Sequence, residues 1–308
     1  MTPFARLPMR WLAALAMFAA GISHSAPEPE SLCSRAVTIF CSGFEEGSFG
    51  IWDDYDGNPA PWNTLVLEPG PLSLSDNTVA RVRVPEGRGG HDVVKILPSQ
   101  HDRLFVRWYQ KWESGYDFNA DNHGGGFHAG HRDYMGRSGN RPTGSDWFSA
   151  WMEPVKGRLN LYAYYRGMYQ DCADPNGSCW GDHFPCFLDD GGYCKKPEHR
   201  ERIMPPLLQT NRWYCLEVEM NAGTPTSTEA GANGSLNYWI DGVEYGPWTG
   251  LWFRTTSNLK INIFSLGLFF HNTHTSAGHM YDNIVVSTER IGCLDSPRPN
   301  APSSLTAN

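Results

Sequence analysis

The chain has 308 residues, with 25 Lys and Arg against 33 Asp and Glu and a formal charge of −8. Only 19% of its residues are charged, while 12 Trp, 13 Tyr, 15 Phe, 32 Gly and 22 Pro give it an aromatic, turn-rich composition. This excludes a coiled coil, a helical repeat and a wholly disordered chain, and the negative charge argues against a surface that wraps nucleic acid.

Arg6 and Arg10 precede an apolar run over 11–22, and Ser23-His24-Ser25 then offers small residues for cleavage. The pattern predicts a signal peptide over 1–25. The run is too short to span a bilayer comfortably and no second long one follows. A soluble monomer, secreted or periplasmic, with no membrane or nucleic-acid partner, is the expectation. All eight cysteines follow the cut: Cys33, Cys41, Cys172, Cys179, Cys186, Cys194, Cys215 and Cys293. An even number in an exported chain predicts four disulfides. The 172–194 cluster is expected to staple a loop at 171–195, and Cys33 and Cys293 to tie the two ends together.

Short strands then alternate with Gly/Pro turns. Period-two patterning predicts strands over 78–84, 104–112, 147–152, 155–166, 213–220, 235–240, 259–270 and 281–287, which means antiparallel sheet. Asp241-Gly242 reads as a hairpin turn, and 221–235 as a long hairpin connection. No helix longer than about two turns is expected; 197–203 is read as one or two turns. The common apolar layer should hold Val82, Val106, Trp108, Leu159, Leu161, Val218 and Ile284. The Pro/Ser/Asn-rich tail over 296–308 is read as flexible, leaving 26–295 as a single domain.

Two strands carry an unusual face. In 155–166, Leu159, Leu161, Ala163 and Tyr165 alternate with Arg158, Asn160, Tyr162, Tyr164 and Arg166. Tyrosines and cations two apart share one side of a strand, as a groove for an acidic sugar polymer would need. In 104–112, Arg107, Tyr109 and Lys111 share a face in the same way, and the two faces are expected to form one floor. Residues 116–133 read as a Gly-rich loop roofing that floor, with His123, His128 and His131 on it. The five- and three-residue spacings of these histidines match no familiar ligand pattern, so no metal and no cofactor is assigned. His271, His274 and His279 are read as polar residues at the sheet rim. Glu217 and Glu219 share one strand face, which leaves open a glycoside hydrolase with paired carboxylates. Exposed aromatics leave open a non-catalytic carbohydrate-binding protein.

Several segments in order resemble the alginate and glucuronan lyase group, polysaccharide lyase family 14 and its relatives. They are 107–118, Ser149-Ala-Trp-Met, 157–165, Asn211-Arg-Trp213, 234–242, 264–270 and 281–286, and together they cover roughly 75–290. The family's GGKLPG loop reads His-Gly-Gly-Gly-Phe-His-Ala-Gly over 123–130. The resemblance implies an all-β, concanavalin-A-like jelly-roll sandwich of two antiparallel sheets. It also implies β-elimination on a uronate-containing polysaccharide, the acidic polymer being the partner. Tyr162 and Tyr164 would then carry the proton transfers, with Lys111 or Arg158 near the substrate carboxylate and His128 as a further catalytic candidate. Arg107, Tyr109, His123, His131, Asn160 and Arg166 would contact substrate.

Overall fold

The structure is a computed structural model that describes residues 31–54, 63–72, 76–84, 87–119, 122–135, 137–169, 179–186, 204–274 and 277–294. The signal peptide, the 197–203 turn, Cys172, Cys194 and the 296–308 tail lie outside these. Helical structure among the described residues is limited to short 3-10 turns. No helix among them is long and apolar enough to cross a membrane.

The strands are β1 (Thr38–Ser42), β2 (Asn63–Pro69), β3 (Asp76–Val84), β4 (Gly87–His101), β5 (Arg103–Trp112), β6 (Asn122–His123), β7 (Gly126–Gly130), β8 (Trp147–Val155), β9 (Arg158–Tyr164), β10 (Asp182–Phe184), β11 (Trp213–Asn221), β12 (Gly234–Ile240), β13 (Val243–Leu251), β14 (Ile261–His274) and β15 (Ala277–Ser287). Among the described residues they make two antiparallel sheets. The first runs β13-β12-β11-β5-β15-β3-β2, with β1 on β15; the second runs β10-β9-β8-β7-β14-β4, with β6 on β14. This is a jelly-roll β-sandwich.

Alternation explains the packing. Val82, Val106, Trp108, Leu159, Leu161, Val218 and Ile284 are all buried in one apolar cluster fed by both sheets. Each such aliphatic side chain contributes about 1.5–3 kcal/mol when fully buried. Hydrogen bonds cross the layer as well: Tyr238 donates to the Leu159 carbonyl at 3.0 Å and Tyr281 to the Gly267 carbonyl at 2.8 Å. The layer also encloses a polar cluster. The two ring nitrogens of His279 lie 2.6 Å from the Tyr281 hydroxyl and 2.9 Å from that of Tyr116, with Gln110 3.0 Å away. His279 is therefore a core residue on β15, not a rim residue. His271 and His274 fall within β14.

Local chemistry sets the turns and the phase. Asp241 and Gly242 have φ of 51° and 81° between β12 and β13, as a tight hairpin requires. Lys156 and Gly157 (φ 48° and 75°) do the same between β8 and β9, so the strand expected over 155–166 is the end of one strand, a turn and β9. In β15 the pairing with β5 slips between Asp282 and Val285, where Asn283 has φ 47°. Asn tolerates that left-handed backbone. The bulge keeps both Tyr281 and Ile284 in the core and turns Asp282 outward beside Tyr109.

Cys33 pairs with Cys41, and Cys215 with Cys293. The expected tie between Cys33 and Cys293 is not made: Cys33, in the turn over Ser31–Ser34, meets Cys41 of β1, and Cys293, beyond β15, meets Cys215 of β11. Cys179 and Cys186 are also disulfide-bonded. No described cysteine is free.

Candidate active site

Arg107, Tyr109 and Lys111 do not share a floor with Tyr162 and Tyr164. β5 belongs to the first sheet and β9 to the second, so the two patterned faces point away from each other across the sandwich. The β5 face is buried beneath the C-terminal segment. Ile291 and Gly292 donate backbone N–H to the two Glu217 oxygens at 2.7 and 3.1 Å, and Leu294 donates to the Tyr109 hydroxyl at 2.9 Å. Arg107 lies directly across from Glu217, with its guanidinium carbon 5.0 Å from the Tyr109 ring centre. Burial lowers the Arg107 pKa, against the pull of Tyr109, Glu217 and Asp282. Burial raises Asp282 to about 7. Lys111 pairs with Glu68. Glu217 thus holds the C-terminal segment, and Glu219 pairs with Arg103 at 2.8 Å, so the two carboxylates do not form a hydrolase pair.

The outer face of the second sheet gathers a different set. Register across β10, β9 and β8 aligns His183 with Tyr162 and Trp151, and Asn160 with Glu153. β6 brings His123 in from the far side, opposite Phe269 of β14. The glycines between β6 and β7 allow this. A Cβ at Gly124 would lie 2.2 Å from the Met152 carbonyl oxygen, and one at Gly126 2.0 Å from that of Ala150. Residues 116–133 are therefore not one loop. The glycines serve close strand contact rather than approach to a ligand.

His123 Nδ1 is hydrogen-bonded to Glu153 Oε2. Its ring stacks on Tyr162 with centroids 5.2 Å apart, and Tyr162 stacks on His183 at 4.7 Å. The Tyr162 and Tyr164 hydroxyls are 2.9 Å apart. Tyr162 accepts from Gly181 N at 3.2 Å and Tyr164 from Gly139 N at 3.1 Å. The segments carrying those two amides meet where Cys179 N donates to the Gly139 carbonyl at 2.8 Å. Burial raises the pKa of both tyrosines, that of Tyr162 well above 10, so both stay protonated. Beside His123 opens a pocket of about 220 Å³ lined by Asp92, Met135, Ser138, Trp151, Ser265 and Phe269. Phe269 is 40% exposed and Tyr164 fully buried. A partly exposed histidine on a buried carboxylate, beside two protonated phenols and an aromatic-walled pocket, is a device for moving protons.

No protein-family model matches the chain, and no curated protein matches it. Solved structures do. Alginate lyase vAL-1 from Chlorella virus superposes with a TM-score of 0.55 at 16% identity, over 81% of this chain and 99% of that one. The marine PL-14 alginate lyase from Aplysia kurodai gives 0.57 at 14% identity, over 82% and 100%. The chain has the alginate-lyase jelly-roll fold. At these identities the likeness is one of fold.

Of the residues expected from sequence, Asn160, Tyr162, Tyr164 and His123 come together on this lyase-like frame. His128 lies on β7, buried and stacked on Trp147 at 6.0 Å, and burial lowers it to about 4. His131 is exposed at the head of the 132–134 turn, 3.2 Å from Asp133. The three histidines do not converge. Among the described residues no group of three or more His, Cys, Asp or Glu is placed to hold a metal. Arg158 opens β9 with its guanidinium on the Pro205 carbonyl. Arg166 lies beyond β9, over the Trp252 ring at 5.0 Å. Sequence reading missed Asp92, Glu153, His183 and Phe269. Alternation over Trp147, Ser149, Trp151 and Glu153 carried a signal for the carboxylate. Nothing local marked His183, which reaches the site only because β10 pairs with β9.

Proposed function

We propose that the protein is a secreted polysaccharide lyase that cleaves a uronate-containing polysaccharide by β-elimination, with His123 as base and Tyr162 as acid. The observation that carries this is His123 at the pocket edge, bonded through Nδ1 to Glu153 and stacked on Tyr162. An ionised carboxylate only accepts, so Nδ1 carries the ring proton and Nε2 is the basic nitrogen. Nε2 removes the C5 proton of the uronate. The C5–H electrons form the C4=C5 double bond, the C4–O bond breaks, and the departing oxygen takes the Tyr162 proton. Proton exchange with water then resets imidazolium and phenolate.

Tyr164, fully buried with its hydroxyl bonded to that of Tyr162, supports the acid rather than touching substrate. Phe269 and Trp151 offer ring faces to a sugar. Arg137, exposed on the segment that also carries Met135 and Ser138 to the pocket, is the cation we assign to the substrate carboxylate. The disulfides support an oxidising compartment, and with it the 1–25 signal peptide.

The test is incubation with a panel of polyuronates and neutral glycans, following the ultraviolet absorbance of the unsaturated uronate. Absorbance should rise with wild type and stay flat with His123→Ala. New reducing ends without absorbance would make it a hydrolase, and binding without cleavage a carbohydrate-binding protein; either result overturns the reading.

A further inference from the structure

We propose that His183 is a positioning residue that holds Glu153 in place and so keeps His123 in the tautomer protonated at Nδ1, with Nε2 as the basic nitrogen. The inference rests on the reading of His123 as base and adds what orients it.

Glu153 is almost fully buried and is flanked by two imidazoles. Its Oε2 meets His123 Nδ1, and its Oε1 lies 3.4 Å from His183 Nδ1. That same His183 nitrogen is 2.8 Å from Asn160 Oδ1. Asn160 Nδ2 donates to the Glu153 backbone carbonyl at 3.3 Å, which turns the amide oxygen toward His183. Both neighbours of His183 Nδ1 are therefore acceptors, and this nitrogen must carry the proton. Asn160 thus fixes the main chain of Glu153 while the N–H edge of His183 faces its carboxylate. The other side of the His183 ring stacks on Tyr162, so one residue braces both the carboxylate that partners the proposed base and the proposed acid itself.

The charge balance fits this role. Burial, with His123 adding to it, pushes His183 down to about 3, so it is neutral wherever the protein works. A cationic His183 would compete with His123 for the Glu153 charge; a neutral N–H orients the carboxylate and leaves its charge for His123. His183 itself is buried behind Tyr162, so it acts through Glu153 rather than on substrate.

Two substitutions separate positioning from bulk. His183→Phe keeps a ring against Tyr162 and removes the N–H. His183→Asn places an amide N–H where Nδ1 was and gives up the ring. Nitrogen NMR of labelled histidine reads the His123 tautomer in folded protein without any substrate. Wild type should show His123 protonated at Nδ1. His183→Phe should shift a measurable part to the Nε2–H form, and His183→Asn should restore the wild-type pattern. On a cleaved polymer, His183→Phe should lower kcat at least about ten-fold, part of the roughly 10²–10⁴ that a general base supplies, with KM unchanged. An unchanged His123 tautomer in His183→Phe, or failure of His183→Asn to restore it, overturns the proposal. If His183→Phe does not fold, the tautomer in His183→Asn decides alone: wild-type supports the proposal, mixed overturns it. If no polymer is cleaved, the lyase reading fails while the tautomer measurement still decides this one.

Discussion

His123 lies flat against Tyr162, with ring centroids 5.2 Å apart and planes 4° apart. The two residues sit 39 positions apart in the chain and meet because β6 reaches across the sheet face that β9 presents. This contact places a basic nitrogen beside a protonated phenol.

Tyr162→Phe keeps the stack and removes the hydroxyl. Turnover on the cleaved polymer should fall by roughly 10²–10⁴, with little change in KM. Tyr164→Phe should cost less in rate and about 1 kcal/mol in stability, since its hydroxyl bonds to Gly139 and Tyr162. Steady-state kinetics and thermal melts of both variants check this. Equal kinetics for Tyr162→Phe and wild type would move the acid elsewhere.

Phe269→Ala should raise KM while leaving kcat within a few-fold, because the ring offers stacking surface worth about 0.5–1.5 kcal/mol and no proton. Initial rates over a range of oligosaccharide concentrations separate the two parameters.

Acid should unfold the protein early. Burial holds His183 and His279 down at about 3 and His128 at about 4 in the folded state, against 6.5 for an ordinary histidine. The unfolded chain then binds more protons below pH 6.5. The stabilisation is present above pH 6.5 and is lost as pH falls toward 3. Asp282, raised from 3.8 to about 7, acts the other way: its stabilisation is present below about 4 and lost as pH rises through 7. Three histidines outweigh one carboxyl, so the urea midpoint should fall from pH 7 to pH 5. His279→Gln should flatten that slope by about one proton.

The C-terminal clamp should matter for stability and not for catalysis. Replacing both Cys215 and Cys293 with Ala opens a link spanning 78 residues and should cost about 2–5 kcal/mol. Glu217→Ala removes an anion from beside buried Arg107 and should cost about 3–5 kcal/mol. Denaturant titration gives both values. The turnover of the folded protein should stay at the wild-type level, which an active site on the β5 face would forbid.

Much of the frame was legible in the residues. Alternation in 104–112 and 213–220 named the core faces correctly, because side-chain period and burial are local consequences of strand geometry. Asp241-Gly242 announced its hairpin through backbone preference alone. Lys156-Gly157 did not, since lysine seldom takes a left-handed backbone and nothing near it signals the turn.

The face carrying Asn160, Tyr162 and Tyr164 was likewise written in the chain, since strand parity fixes which side chains travel together. Which sheet each strand joins was not. Arg107 and Tyr162 occupy similar patterns, yet one is sealed under residues 291–294 and the other stands beside a pocket. Glu153 and Asn160 face each other across the β8–β9 hairpin, but His183 joins them only because β10 pairs with β9, where it lies opposite Tyr162. Such pairings depend on the free energy of the whole sandwich rather than on any short run of residues. Periodicity is a property of neighbours along the chain, whereas the meeting of His123, Glu153, Tyr162 and His183 is a property of long-range register, decided only when the two sheets close on one core.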